Sequence, residues 1–404
     1  MSVPLANTEN RITDASATEF AARGAGELLH VRVHSGLDDL PESFLQLFAQ
    51  AERQSVFLGL PWFRNFVQTA MNVEDRVRIY TAAAEGANGT PVGMLLMRDS
   101  GESRSFTSLR KLEALANYYS CFYAPHFADS LDESRETLRA LAIAISQEEP
   151  RWDAVELKPM DVNAKEFPEL VEAFKSAGFA VQTFFSSGNW YLPVNGRSFA
   201  QYSENLPSVL RNTLSRKRKK LEKTGRAKIE IVTGGPGLDT AIDAYRKVYL
   251  SSWKQPEPYT DFIPGLIRMC SSIGVLRLGI IYVDGEPAAA QLWIVHHGKA
   301  LIYKLAYDER FAELSVGTIL SATLFESALD VDKVTEVDYL SGDDAYKKDW
   351  MSHRRERWGI LALNKRTPRG ALAIARHIGG RAAKRAALSL ASAFRRGESQ
   401  DSTK

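Results

Sequence analysis

Cysteine is almost absent. The two present, Cys121 and Cys270, cannot build a disulfide framework, and no Cys-x-x-Cys or Cys/His cluster is spaced for zinc. Both are expected as small core residues in a reducing compartment. An excess of either charge is missing too: 51 Lys and Arg face 49 Asp and Glu, so net charge selects no class of partner. No apolar run approaches the roughly 18 residues of a membrane span. Residues 1–26 lack an apolar stretch behind a basic start, so no export signal is expected. Gly-x-Ser-x-Gly, Walker and His-Glu-x-x-His motifs are also missing, which removes the serine-hydrolase, P-loop and zinc-protease chemistries. The expectation is a cytoplasmic protein that holds no metal.

What is present is a 404-residue chain, 45% apolar and 25% charged, with room for two or three domains. A loose tail over 1–26 precedes a first unit over 27–195. That unit holds strands at 29–33, 77–82, 91–97, 118–123, 152–158 and 179–191, and helices at 42–54, from Pro61, at 134–146 and at 168–176. A second unit over 196–364 opens with a basic helix from Arg211 to Arg226 and a strand at 227–232. Helices at 238–253 and 260–272 follow. A meander then runs 275–283, 287–296 and 300–306; its first turn, Asp284-Gly285, is a strong hairpin signal. A helix over Val316–Leu329 and a strand over Val334–Tyr339 close the core. The fold class is mixed α/β (α+β), and a basic segment over 365–404 ends the chain.

The two units read as one plan used twice, strand–helix–strand in each, although that order is common enough to arise by chance. They differ between strand and helix. The first has the acidic Asp129-Ser130-Leu131-Asp132-Glu133-Ser134, which would repel a phosphate. The second has Arg310 and then Ser315-Val316-Gly317-Thr318 opening a helix. Free amides, a glycine, two hydroxyls and a guanidinium suit a pyrophosphate. The plainer reading makes Ser315 an N-cap and Gly317 a packing glycine.

The stretch Tyr303-Lys304-Leu305-Ala306-Tyr307-Asp308-Glu309-Arg310-Phe311, with Leu314–Leu320 and Asp338–Lys347, resembles the GNAT acyltransferases. The resemblance is to the tandem-GNAT group of Fem-type peptidoglycan transferases and CelD-like enzymes, and it spans most of Leu29 to Asn364. The full phosphate signature is degenerate here, with Ser315 and Thr318 near the small positions. The resemblance implies two tandem GNAT-like mixed-sheet domains, the first degenerate, and an acyl-CoA or acyl-ACP donor bound by Arg310 and Ser315–Thr318. It also implies that a backbone amide of a splayed strand, taken as Gln291, Leu292 and Trp293, polarises the thioester. Tyr346 is at the place of the acid that protonates the leaving thiolate; a half-buried aromatic is the plainer reading. Asp308 is the candidate base, His353 another titrating group, and Tyr307, Asp343, Asp344 and Lys347 complete the expected substrate contacts. Asp343 and Asp344 read equally as a solvated turn, and His296 and His297 as exposed turn residues.

Lys365 to Arg396 contains no acid, and its arginines and lysines alternate with Leu372, Ile374, Ile378, Leu388, Leu390 and Phe394. It reads as an amphipathic helix for an anionic membrane surface, which would make the protein peripheral on the inner membrane, or as a solvated helix. With a membrane contact, the resemblance points to a lipid amine acceptor, such as a sphingoid base in ceramide synthesis. Fem-like transfer from aminoacyl-tRNA, sugar-amine acetylation for exopolysaccharide and a non-catalytic GNAT-shaped binder are the alternatives. Nucleic acid is a partner only in the tRNA case.

Overall fold

The alternating apolar pattern of the expected strands is realised in one sheet that runs through both halves of the chain. The computed structural model describes residues 19–23, 28–84, 89–101, 108–128 and 134–377. The first half contains β1 (Glu19–Arg23), β2 (Leu28–His34), α1 (Glu42–Glu52), α2 (Leu60–Thr69), β3 (Arg76–Ala84), β4 (Thr90–Asp99) and β5 (Lys111–Ala114). It continues with β6 (His126–Phe127), α3 (Ser134–Gln147), β7 (Ala154–Asp161), α4 (Glu166–Ser176) and β8 (Phe179–Pro193). The second half has α5 (Phe199–Ser203), α6 (Ser208–Thr213), α7 (Lys219–Thr224), β9 (Ala227–Val232), α8 (Leu238–Leu250) and α9 (Phe262–Ser272). Then come β10 (Leu276–Val283), β11 (Glu286–His296), β12 (Lys299–Tyr307), α10 (Val316–Glu326), β13 (Glu336–Ser341) and β14 (His353–Asn364).

The strand order is β1-β2-β3-β4-β5-β7-β14-β8-β13-β12-β11-β10-β9. Each half builds an antiparallel meander, a short parallel pair (β5 with β7, β12 with β13) and a helix between the paired strands. The last strand of each half is exchanged: β8 pairs with β13 of the second half, and β14 pairs with β7 of the first. The sheet is therefore continuous across residue 195. A mixed three-layer α/β architecture results, with helices on both faces.

Several expected elements take another form. Residues 19–23, expected in a loose tail, pair antiparallel with β2. Residues 118–123, expected as a strand, are irregular, with Tyr119 and Tyr123 buried. The basic helix is α6, a π-helical segment over Leu214–Arg218 and α7; Arg226 lies beyond its end and pairs with Asp284. His296 is half-buried beside Glu52 rather than exposed. The acidic loop at 129–133 and the tail beyond residue 377 lie outside the described residues, although 368–377 are helical. Among the described residues, no helix is long and apolar enough to cross a membrane.

Two faces of the second-half sheet carry different cores. Along β11, Ala290, Leu292 and Ile294 pack with α8 and α9, whereas Trp293 packs with α10, as strand alternation requires. The α8–α9 core is shared with the first half: Trp62 and Tyr119 lie against Phe262 at ring separations of 5.6 and 4.0 Å. On the other face Gly279 lets α10 approach β10. A Cβ there would lie 2.8 Å from Leu324 Cδ1 and 3.1 Å from Leu320 Cδ1. Gly279→Val is expected to cost about 1–3 kcal/mol through overpacking, read as a lowered urea midpoint. An unchanged midpoint would mean that α10 is free to move outward.

Candidate functional site

The functional geometry starts where the sheet stops being a sheet. Parallel pairing of β12 and β13 is limited to Lys299–Leu301 against Glu336–Asp338, and beyond it the strands diverge. In the first half the equivalent divergence, past Glu113 and Glu156, is filled by chain: Leu115 N–H donates to Leu96 O at 2.9 Å and Tyr123 N–H to Pro159 O at 2.7 Å. In the second half it stays open as a cavity of about 290 Å³. Its walls come from β12 (Ile302–Leu305), the end of β13 with Tyr346 and Lys347, Lys254 of the α8–α9 loop, and Tyr118, Tyr119 and Cys121 of the first half.

A bulge shapes the open edge. In the β11–β12 ladder Leu292 faces Lys304 and Trp293 faces Ile302, so Tyr303 is the extra residue. Gln291, Leu292 and Trp293 are not on the splayed strand. They lie in β11, which is paired on both sides by β10 and β12, so their amides are committed to ladders. Gln291 is buried and donates from Nε2 to Gly317 O (3.1 Å) and Ser321 Oγ (2.8 Å), while accepting from Trp293 Nε1 (2.9 Å). It fastens α10 to the sheet. The strand with an unpaired edge is β12, at residues 302–305.

At the start of α10, Ser315 has φ +56° and no side-chain capping bond, so its hydroxyl does not serve as the N-cap acceptor. The first-turn amides of Val316, Gly317 and Thr318 open beside it, with Val316's side chain in the core. A Cβ on Gly317 would lie 3.3 Å from the Tyr307 ring; the glycine permits close packing as well as access. The basic segment reaches the same place. Lys217 Nζ donates to Glu313 O (2.8 Å), just ahead of α10, whereas Arg218 pairs with Glu326 at the helix's far end (3.0 Å). The π-helical segment thus brings one cation, Lys217, to the loop that opens α10.

The expected polar residues divide into two sets. Tyr346, Asp344 and Lys347 line the cavity. Tyr346 stands edge-on to Tyr339 at 5.7 Å, and burial, with the Asp344 charge, pushes its phenol well above the ordinary range. It stays protonated at neutral pH. Lys347 is buried, and its ammonium donates to Ser341 O (2.6 Å), Gly342 O (3.3 Å) and Tyr339 O (3.4 Å), closing the turn after β13. The other set lies elsewhere. Asp308, the expected base, caps the following 3₁₀ turn and is paired with Arg310 (3.1, 3.0 and 2.6 Å). Those bonds hold its carboxyl below the usual range. The same pair engages Arg310. Asp343 is tied to Arg354 (2.8 Å twice) and Trp190 (3.1 Å). His353 is exposed and bonded to Ser352 (2.8 Å), and it is not among the cavity's lining residues.

Two residues that sequence reasoning passed over bear on the cavity: Lys254, which lines it, and Glu257, which binds three of its lining side chains. Glu257 accepts from the hydroxyls of Tyr118 and Tyr119 (the latter at 2.7 Å) and from Lys304 Nζ (2.9 Å). Burial alone would raise its pKa, but these three donors outweigh it and hold the carboxyl below normal. Lys254 sits alongside. No group of His, Cys, Asp and Glu able to hold a metal occurs among the described residues.

Residues 208–348 match the family model described as an acetyltransferase (GNAT) domain. No curated protein matches the chain. Among solved structures, FemX superposes with a TM-score of 0.51 at 11% identity, over 75% of this chain and 90% of that one. A conserved protein of unknown function from Bacteroides thetaiotaomicron superposes with a TM-score of 0.50 at 11% identity, over 82% of this chain and all 100% of that one. These likenesses carry the fold, and the domain match lies within its second half. Residues 208–348 are thus similar to a GNAT acetyltransferase domain, and the chain as a whole shares the fold of FemX.

Proposed function

We propose that the protein transfers an acyl group from an acyl-thioester, acyl-CoA or acyl-ACP, to the amine of a lipid or cell-envelope acceptor. The observation that carries this reading is the open splay between β12 and β13, which leaves strand edge free at residues 302–305. A thioester arm laid there meets amide donors for its carbonyl oxygen. Its phosphates reach the first turn of α10 and the ammonium of Lys217 beside it. Tyr346 then faces the sulfur that leaves. A lipid acceptor is favoured by the helical segment at 368–377, where Leu372 is half exposed between Arg369 and Arg376. An apolar side chain framed by arginines suits an anionic membrane surface, and a sphingoid base is the amine such a surface would present.

A second reading, aminoacyl transfer from a charged tRNA, is favoured by the FemX-like fold and by the cationic segment beside the donor loop. One experiment separates the two. The purified full chain is incubated with acetyl-CoA, palmitoyl-CoA or aminoacyl-tRNA against sphinganine in vesicles, glucosamine and a lysine-containing muropeptide. CoA release and product mass are followed. Palmitoyl-CoA with sphinganine is expected to release CoA at least about tenfold faster than without amine. Product from aminoacyl-tRNA alone would replace the first reading with the second. No product from any pair would remove both.

A further inference from the structure

We infer that Lys254 is the proton acceptor of the transfer step, taking a proton from the acceptor's ammonium as it enters the splay between β12 and β13. The inference rests on the acyl-transfer reading above and assigns the half of the proton transfer that Asp308 and His353 do not occupy. Three lysines line the cavity, and two of them are engaged. Lys304 donates to Glu257 at 2.9 Å and lies over the Tyr118 ring at 4.9 Å. Lys347 is spent on backbone carbonyls and lies 3.3 Å from Asp344. The ammonium of Lys254 has no hydrogen-bond or ion-pair partner among the described residues, and it lies 5.8 Å from the ring of Trp253. Trp253 itself lies against Tyr307 at 4.7 Å, which pins the loop to the end of β12.

The surroundings set its charge state. Charged or titratable groups face Lys254 from each wall: Lys304 from β12, Glu257 from its own loop, Tyr118, Tyr119 and Cys121 from the first half, and Asp344, Tyr346 and Lys347 from the segment after β13. Burial disfavours the ammonium most, and the Lys304 charge disfavours it further, while Glu257 and Asp344 pull the other way. The outcome is a pKa lowered to about 8. A lysine brought down to about 8 has its lone pair free in a fraction of molecules at neutral pH and in most above pH 8, by the same desolvation that activates other catalytic lysines. Glu257 contributes by holding Lys304 charged and in place beside it.

The proposed step balances without a further reactant. The acceptor R–NH₃⁺ gives a proton to the lone pair of Lys254 Nζ, and the free amine forms the C–N bond at the thioester carbonyl. The C–S bond then breaks with its electron pair on sulfur. Tyr346 protonates that sulfur and is restored by the second proton shed from the adduct's nitrogen. Lys254 returns its proton to solvent. Acid and base therefore enter from different walls, Tyr346 from beyond β13 and Lys254 from the α8–α9 side, so neither has to serve both partners.

The test has two arms on the full chain. In the first, Lys254 is acetylated competitively with acetic anhydride over about pH 6 to 10 and read by mass spectrometry, with no acceptor needed. Its reactivity is expected to rise with a midpoint near pH 8. In the second, kcat/KM for CoA release is followed against pH with palmitoyl-CoA and sphinganine. An acidic limb near pH 8 is expected in the parent and in Tyr346→Phe. It should vanish in Lys254→Met, with a rate about 100-fold lower at the plateau. Lys254→Arg keeps the charge and should be as slow as Lys254→Met, which separates a base from an electrostatic anchor. A labelling midpoint above about pH 10, or a Lys254→Arg enzyme as fast as the parent with the same limb, would overturn the role alone. Absence of CoA release from the parent with every amine would overturn the transfer reading and the role with it.

Discussion

Arg355→Ala is expected to lower the unfolding free energy by about 3–5 kcal/mol and to loosen both halves of the chain together. Arg355 lies on β14 opposite Asn189 of β8, and its guanidinium reaches across β8 to β13. It donates to Asn189 Oδ1 (2.6 Å) and Glu336 Oε1 (2.8 Å), and also to Asp338. Asp338 is 3% exposed and accepts further bonds from Asn189 Nδ2 (2.5 Å) and the Leu340 amide (2.6 Å). Removing the cation leaves a buried carboxylate with neutral donors only, which is the costly way to break such a pair. Because β8 and β14 are exchanged between the halves, this network joins strands of both. Hydrogen exchange read by mass spectrometry should show protection falling in β7 and in β13 alike. Loss confined to β13 would mean that the exchanged strands do not couple the halves. Arg355→Met with Asp338→Leu removes both charges, and it should recover a large part of the loss.

The exchange of strands was not legible in the sequence. Phe179–Pro193 reads as a long strand, and Gly178, with φ +96°, marks where α4 ends. Nothing in a strand's own alternation names its partner, however. Local chemistry was legible where it acts locally: Asp284-Gly285 makes its hairpin turn with φ +53° and +83°, the conformation this dipeptide favours. The pairing of Asp308 was not legible, because a carboxylate at a strand end looks the same in sequence whether it is free or already bound by the arginine two residues on. Gln291–Trp293 were placed one strand too early, since a meander of similar apolar runs does not mark which strand splays. Lys254 and Glu257 gave no signal. They sit in a loop without a motif, and their chemistry arises from Tyr118 and Tyr119, more than 130 residues earlier. Those tyrosines were taken for a strand; the divergence of the sheet leaves them no ladder to join, and they become a wall of the cavity instead.

Tyr346→Phe is expected to lower kcat for CoA release by about 10²- to 10³-fold while leaving KM for the thioester within about twofold. Burial and the Asp344 charge both disfavour the phenolate of Tyr346, so the phenol keeps its proton across the neutral range. A group held as the acid still carries its proton when the C–S bond breaks, and the departing thiolate takes it. Phenylalanine keeps the ring and its edge contact with Tyr339, so the cavity should hold its shape and the donor should still bind. The effect then falls on the step in which the C–S bond breaks. Donors whose thiol is a better leaving group need less help from an acid, so a low-pKa thiophenyl ester should narrow the gap between Tyr346→Phe and the parent. An equal deficit with both donors would show that Tyr346 shapes the cleft, and does not protonate the leaving sulfur.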